Sequence, residues 1–360
     1  MASKFEPGPN EEFVLTIDSR RFSFRSVPHP AAPASAHVIS AGRADVHHVL
    51  EVATKGEYAL KAFMARYRGP HVKDACARLD AHKRSGGLSV CDRRCLAPGR
   101  ADETIAEYPN LAFAVLMPWV RGESWFDVLA KGKAGGSWSE TDGIAFALRL
   151  ATVLSHLEHS GMAHGDISSG NVILHRQSGD LQLVDVEDLY APGWPRPQSP
   201  SPGTAGYRHR TTPVDVWSAT ADRFAAAMLL AEMLAWSSPE IRYLAHGESY
   251  FDQAMIDQID DAAYQPLRAA VAKSGIDIAN LLDRAWTANT IAACPSISEW
   301  YSALQAVSVA RFGISIDPVA RYQLPDAAPP LWVDNNIPVE PPRLEWEARD
   351  RPPITPPHWK

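Results

Sequence analysis

Cysteine is scarce in this chain. Its 360 residues hold four, Cys76, Cys91, Cys95 and Cys294, too few and too scattered for a disulfide framework, and Cys91-x3-Cys95 lacks the second ligand pair a zinc site needs. Reduced thiols are the expected state. Long apolar runs are missing as well: no stretch approaches the roughly 18 apolar residues of a membrane span, and the opening MASKFEPGPNEEF has no apolar signal core. The chain reads as soluble and cytoplasmic. Nor is one charge in large excess, since 35 Lys and Arg stand against 42 Asp and Glu, which points to neither a nucleic-acid face nor a membrane surface. What is present is ordinary globular material, 46% hydrophobic and 21% charged, enough for a sizeable core. A usual domain has about 100–200 residues, so one large two-lobed unit or two domains is expected.

The most informative stretch runs from His164 to Asp185, HGDISSGNVILHRQSGDLQLVD. An acid, Asp166, precedes an amide, Asn171; an apolar run follows, then the turn-rich RQSGD, then a second apolar run ending at Asp185. This spacing predicts loop, strand, turn, strand. A tight hairpin of that kind sets its two ends side by side, so Asn171 and Asp185 can converge. Two hard oxygen donors suit Mg2+, which takes one or two protein ligands and leaves the rest to water and substrate phosphates. Asp166 lies near that position without needing to bind the ion. There a carboxylate can orient a hydroxyl nucleophile and accept its proton. The plainer reading of the same residues is a surface hairpin with an Asp/Asn-rich turn.

The stretch resembles the catalytic and metal-binding loops of the protein-kinase superfamily, whose pattern is H-R-D-L-x-x-x-N followed by D-F-G. The resemblance covers roughly residues 37 to 313. It implies an α+β, bilobal protein-kinase-like fold, with a small β-rich N-lobe and a large α-helical C-lobe. The implied divisions are an N-terminal extension at 1–35, N-lobe and hinge at 36–120, C-lobe at 121–315 and a proline-rich tail at 316–360. It further implies ATP with Mg2+ or Mn2+, catalytic roles for Lys61, Asp166 and Asp185, and metal ligation by Asn171 and Asp185. The implied reaction is phosphoryl transfer to Ser/Thr hydroxyls of a protein substrate, itself included, as in bacterial-type serine/threonine kinases.

Taken in order, residues 1–10 are polar and rich in Pro and Gly and are expected to be unstructured. FVLTIDSRRFSFRSV alternates well enough for one or two strands before a Pro/Ala spacer at 28–35, and the organised part is expected to begin near Ala36. HVISAGRADVHHVLEVATKGEYALKAF predicts three antiparallel strands with turns at Gly42 and Lys55-Gly56. By the resemblance, Lys61 is the strand lysine that holds phosphate, Val46 and Ala59 roof the adenine, Ile173 is its floor, and Gly42 is what remains of the phosphate loop. LAFAVLMPWVRGESWFDVL predicts a buried strand, a turn at Pro118 and a helix starting near Ser124. The resemblance makes it the hinge, with Met117 at the back of the pocket, the Pro118 carbonyl on the adenine amino group and the Val120 N–H on a ring nitrogen. Proline loses only a donor that this position does not use. TDGIAFALRLATVLSHLEHSGMAH carries helical spacing stopped by Gly161. In TADRFAAAMLLAEML, Asp222 at the start of an apolar helix is by default a cap; by the resemblance it accepts backbone N–H bonds around His164 and Gly165. His164 reads as a packed structural imidazole against Val186.

The departures from the family pattern are specific. Between Glu57 and Glu103 there is no glutamate to pair with Lys61 from the next helix; Asp80, then Asp74, are the best substitutes. SAGRADV has one glycine where the family has three for close phosphate approach. Gly165 replaces the arginine that receives an activation-loop phosphate, so phosphorylation at Ser199, Ser201 or Thr204 finds no local acceptor. Ser168 replaces the lysine that shields the γ-phosphate, so turnover falls or another group supplies the charge. Glu187 replaces a glycine, restricting the backbone there. No acid follows Tyr207, and Cys294-Pro295 stands where its arginine partner would be, so both halves of one ion pair are absent together. These departures favour an alternative, a pseudokinase that binds nucleotide or acts as a scaffold. The H-G-D form also resembles aminoglycoside and choline kinases, against which GTAGY and the Asp222 helix speak. The tail holds 11 of the 29 prolines and should be extended, polyproline-like chain. Its Trp332, Trp346 and Trp359 suit packing along the body or docking on a partner protein.

Overall fold

The computed structural model describes residues 3–134, 136–197, 201–211, 216–313 and 315; the expectations for the proline-rich tail and for Ser199 lie outside them. The N-terminal part is a curled sheet. Strands β1 (Glu12–Ile17) and β2 (Arg20–Ser26) form a hairpin whose two turn residues, Asp18 and Ser19, have φ of 51° and 62°, the turn geometry that matches the twist of paired strands. A short pair, β3 (Pro28–His29) and β4 (Ala32–Ala36), precedes β5 (Val38–Ala41), β6 (Ala44–Glu51) and β7 (Glu57–Phe63). Helix α1 (Pro70–Leu79), strand β8 (Arg94–Cys95), helix α2 (Asp102–Glu107) and strand β9 (Val115–Pro118) follow. The strand order is β1-β2-β6-β7-β9-β8, with β5 on β6.

The sheet begins earlier than expected. Phe24 of β2 pairs with Glu51 of β6, so the segment read as an extension before residue 36 supplies two strands, and the spacer forms the β3–β4 hairpin. Residues near the start are packed rather than unstructured: Phe5 is 2% exposed, meets the rings of Phe13 and Tyr108 edge-on, and donates its N–H to the Asn110 side chain at 2.8 Å. Burying one phenylalanine on a preformed groove outweighs the polar composition around it.

Alternation along the strands divides the sheet into two faces. The ladder pairs Val46 with Lys61, Ala59 with Met117 and Lys61 with Val115, which puts these residues on one face. Ala59, Val115 and Met117 belong to the main core. Tyr58, Leu60 and Leu116, on the other face, join Phe5, Phe13, Leu15 and Phe24.

The C-terminal part is helical. It comprises β10 (Glu123–Ser124), α3 (Trp125–Lys133), α4 (Glu140–His159), the hairpin β11 (Val172–His175) and β12 (Asp180–Leu183), α5 (Arg223–Ala235), α6 (Pro239–Leu244), α7 (Gln253–Gln258), α8 (Asp261–Ala272), α9 (Ile276–Thr287) and α10 (Ile297–Phe312). Reciprocal serine–acid capping boxes start α3, α4 and α10 at Ser124/Asp127, Ser139/Asp142 and Ser296/Glu299, each satisfying two otherwise unpaired N–H groups. Helix α5 is apolar on all sides and packs against α4, α8 and α9, the pattern of a core helix. Gly161, at φ 71°, follows α4. The architecture is therefore mixed α+β, with a curled N-terminal sheet and a helical C-terminal part. Among the described residues no helix is long and apolar enough to cross a membrane.

Candidate functional site

The β11–β12 ladder runs from Val172 opposite Leu183 to His175 opposite Asp180, and the Val184 N–H donates to the Asn171 carbonyl at 3.0 Å. The two ends of the hairpin are thus adjacent, as the spacing implied. Asp185 comes next, in the left-handed region at φ 62°, ψ 47°, a conformation uncommon for a residue with a side chain and concentrated where structure over-determines it. Its carboxylate accepts a hydrogen bond from Lys61 Nζ. Lys61 is buried, at 5% exposure, and donates also to Glu187 Oε2 at 2.9 Å. The other oxygen of Glu187 accepts from Arg93 Nη1 at 2.9 Å. Arg93 in turn donates to the Val90 carbonyl at 2.7 Å and sets Nη2 3.5 Å from Met117 Sδ.

The result is a row of alternating charge, Asp185, Lys61, Glu187, Arg93. Burial works against the charge of Glu187, yet the two flanking cations outweigh it and hold this carboxyl well below its ordinary range. Burial and the neighbouring Glu187 push Asp185 up to about 6, against the pull of Lys61. Two cations against two anions leave the row neutral, the condition under which buried charge is tolerated.

The partner of Lys61 is therefore Glu187, not Asp80 or Asp74. Asp80 is an exposed residue paired with Lys83 at 3.0 Å, and Asp74 is exposed too. The reason lies in α1: Val72, Cys76 and Leu79 fill its inner face, so the acids fall on the outer one. Gly42 also departs from expectation. It is exposed, its φ is not positive, and a Cβ there would meet nothing within 4 Å, so no close backbone approach demands glycine.

Of the residues expected around an adenine, three lie side by side and the fourth is on a separate hairpin. Val46, Ala59 and Met117 share the face that carries Lys61, and Ile173 lies half-buried on β11. The Trp119 N–H donates to the Glu57 carbonyl at 3.0 Å; ladder alternation then turns the Pro118 carbonyl away from β7. Among the described residues the Val120 N–H has no hydrogen-bond partner. Trp119 stacks flat on His48 at 3.9 Å, and burial pushes that imidazole down to about 4, keeping it neutral.

In the loop before β11, Asp222 holds the backbone: the His164 N–H donates to one carboxylate oxygen at 2.6 Å and the Gly165 N–H to the other at 2.8 Å. Asp222 makes no side-chain cap on its own helix, which excludes the simple capping reading. His164 is fully buried, its Nε2 2.9 Å from the Val184 carbonyl. Asn171 Nδ2 donates to the Asp166 carbonyl at 2.8 Å, and the Thr204 hydroxyl donates to Asp166 Oδ1 at 3.1 Å. Gly165 has φ 84°, and a Cβ there would lie 2.4 Å from the Asp188 carbonyl oxygen. The missing arginine is thus explained by a position with no room for any side chain. Gly165→Ala is expected to lower stability by about 1–3 kcal/mol, read as a fall in the urea midpoint at unchanged slope.

Tyr207 is anchored by a residue the sequence did not single out. Its hydroxyl donates to Glu232 Oε2 of α5 at 2.7 Å; Trp125 Nε1 reaches the same oxygen at 2.9 Å, and the Tyr250 N–H reaches the other at 2.6 Å. Burial pushes Glu232 up to about 7, against the pull of these donors, from an ordinary 4.5. Between those values the folded chain holds a proton that the unfolded chain has released, so this contribution to stability is complete below 4.5 and is lost as pH rises through about 7. The melting temperature of wild type is expected to fall across this range relative to Glu232→Gln. Parallel profiles would refute the assignment.

No family model and no curated protein matches the chain. Glu187, Arg93 and Glu232 are the site residues that sequence reasoning missed or misread; only Glu232, a lone charge within the apolar MLLAEMLA, carried a signal, whereas Glu187 and Arg93 stand among other charges in VDVEDL and CDRRC.

Proposed function

We propose that this chain is a divergent protein kinase of bilobal fold, transferring phosphoryl groups from ATP to Ser/Thr hydroxyls of a protein. The observation that carries the reading is the meeting of Lys61 and Asp185, far apart in sequence, beside a loop in which Asn171 and Asp166 are bonded to each other. The donor set fits Mg2+ or Mn2+. With Nδ2 of Asn171 committed to the Asp166 carbonyl, its Oδ1 is the atom left to serve, with the Asp185 carboxylate, as a second hard oxygen. Among the described residues no group of three or more His, Cys, Asp or Glu gathers as a metal cage, at this site or another, and an ion that works with one or two protein ligands needs none. When bound, the ion supplies charge neutralisation across the phosphates.

The chain's own residues do the rest. Lys61 presents its ammonium to phosphate oxygens while Glu187 keeps it aimed. Val46, Ala59 and Met117 roof the base, Ile173 floors it, and the Pro118 carbonyl and Val120 N–H fix its edge. Asp166 orients the acceptor and takes its proton late in transfer. The Thr204 hydroxyl on Asp166 at 3.1 Å is a side-chain alcohol already seated where an acceptor must sit, which favours Ser/Thr over an aminoglycoside or choline. Four buried free cysteines suit a reducing, cytosolic setting.

A pseudokinase is the second reading, favoured by the open turn at Gly42 and by an ammonium already bonded to two carboxylates. The test is labelled ATP with Mg2+ or Mn2+, offered to the protein alone, to a generic protein and to an aminoglycoside panel. Label in protein that vanishes in Asp166→Ala and Asp185→Ala supports the kinase. Nucleotide binding without transfer supports the nucleotide-binding pseudokinase, and absence of both overturns the kinase and leaves only the scaffold form of the second reading.

A further inference from the structure

We infer that Arg43 is the cation that meets the terminal phosphate of the nucleotide, in the role that Ser168 cannot fill; the inference rests on the kinase reading above. Ser168 is uncharged and only 4% exposed. Arg43 is the second residue of the tight turn joining β5 to β6. It directly precedes Ala44, which pairs with Phe63, two residues beyond Lys61 on β7. The turn thus sits at the end of the sheet toward which Lys61 lies. Arg43 Nη1 donates to Asp188 Oδ2 at 2.9 Å, and the carbonyl of the same Asp188 lies 2.4 Å from where a Cβ on Gly165 would be. The guanidinium is therefore lodged between the strand of Lys61 and the loop of Asp166, held by a carboxylate three residues past Asp185.

Its donors are only partly used. Among the described residues Nε and Nη2 of Arg43 make no hydrogen bond, the side chain is 43% exposed, and the Tyr67 ring lies 5.9 Å from its central carbon. One edge of a planar fork is left for two parallel bonds to phosphate oxygens, the geometry at which arginine excels. The other cations of the site are engaged, Arg93 with Glu187 and Lys61 with both Asp185 and Glu187. During transfer the acceptor oxygen bonds to the terminal phosphorus, the bridging P–O bond breaks with its electron pair leaving on ADP, and the acceptor proton passes to Asp166. Arg43 stays protonated throughout and offsets the charge on the moving group. The sparse glycine loop fits this arrangement, because a side chain takes over from backbone N–H groups at the phosphates.

The test compares full-length wild type, Arg43→Gln and Arg43→Lys for affinity toward Mg–ATP and Mg–ADP by calorimetry. Wild type is expected to bind ATP about tenfold more tightly than ADP. Arg43→Gln is expected to close that gap while ADP affinity stays within about twofold, and Arg43→Lys to restore part of it. Where label transfer is measurable, kcat of Arg43→Gln should fall by about 10³-fold, with KM for the acceptor unmoved. A gap that survives in Arg43→Gln overturns the inference, as does a wild type that binds both nucleotides equally; either leaves the kinase reading standing. A wild type that binds neither nucleotide removes that reading, and this inference with it. Urea unfolding of Arg43→Gln at the wild-type midpoint establishes that any loss is not one of folding.

Discussion

Asp166→Asn is expected to lower phosphoryl transfer by about 10²–10⁴-fold while leaving Mg–ATP affinity within about twofold of wild type. Asparagine keeps the shape of the side chain and can still accept from the Thr204 hydroxyl, which donates to Asp166 Oδ1 at 3.1 Å; it cannot take the proton. Asp185→Asn should behave differently. It removes a charged oxygen from the proposed metal position and the anion at one end of the Lys61 row, so both transfer and Mg-dependent nucleotide binding should fail. The pair of variants separates acceptor activation from nucleotide loading, and binding by calorimetry beside label transfer is sufficient to read both. An Asp166→Asn protein that turns over at the wild-type rate, or an Asp185→Asn protein with unaltered Mg2+ dependence, would remove the roles assigned to these acids.

The second large effect concerns folding. Arg93→Met is expected to destabilise the protein by about 3–5 kcal/mol, because it leaves Glu187 enclosed with an ammonium it must share with Asp185. Adding Glu187→Gln should recover most of that loss, since Lys61 and Asp185 then form a balanced pair. The non-additivity is the signature: a double variant as unstable as the sum of the singles would mean that the two residues do not act through each other. Asp80→Ala and Asp74→Ala, on the outer face of the α1 region, should change neither stability nor nucleotide binding beyond about 0.5 kcal/mol.

What could be read in the sequence was local in origin. The turn-rich RQSGD forces β11 and β12 together, and that short-range constraint brings Asn171 beside Val184. The apolar run after Asp222 could only be a buried helix, so an acid at its start had to find donors nearby; it found the N–H groups of His164 and Gly165. What could not be read depended on surfaces assembled from distant chain. Phe5 looked like part of a solvated leader because its groove is built by Phe13, Tyr108 and Asn110. Glu187 was read as a backbone restriction in place of a glycine. Its side-chain role needs Arg93, which reaches it only once β8 has paired with β9. Gly165 registered as a lost arginine, whereas the deciding contact is with the carbonyl of Asp188.

Because Glu187 lies two residues after Asp185, the counter-ion of the ammonium and the acid proposed as metal ligand ride on a single piece of chain. A ligand wedged beneath α1 would leave that ion pair standing, since the helix brings no charge to it. Displacing the segment after β12 would instead take both carboxylates from Lys61 in one stroke, so under the proposed kinase reading a small molecule that blocks transfer should be sought there.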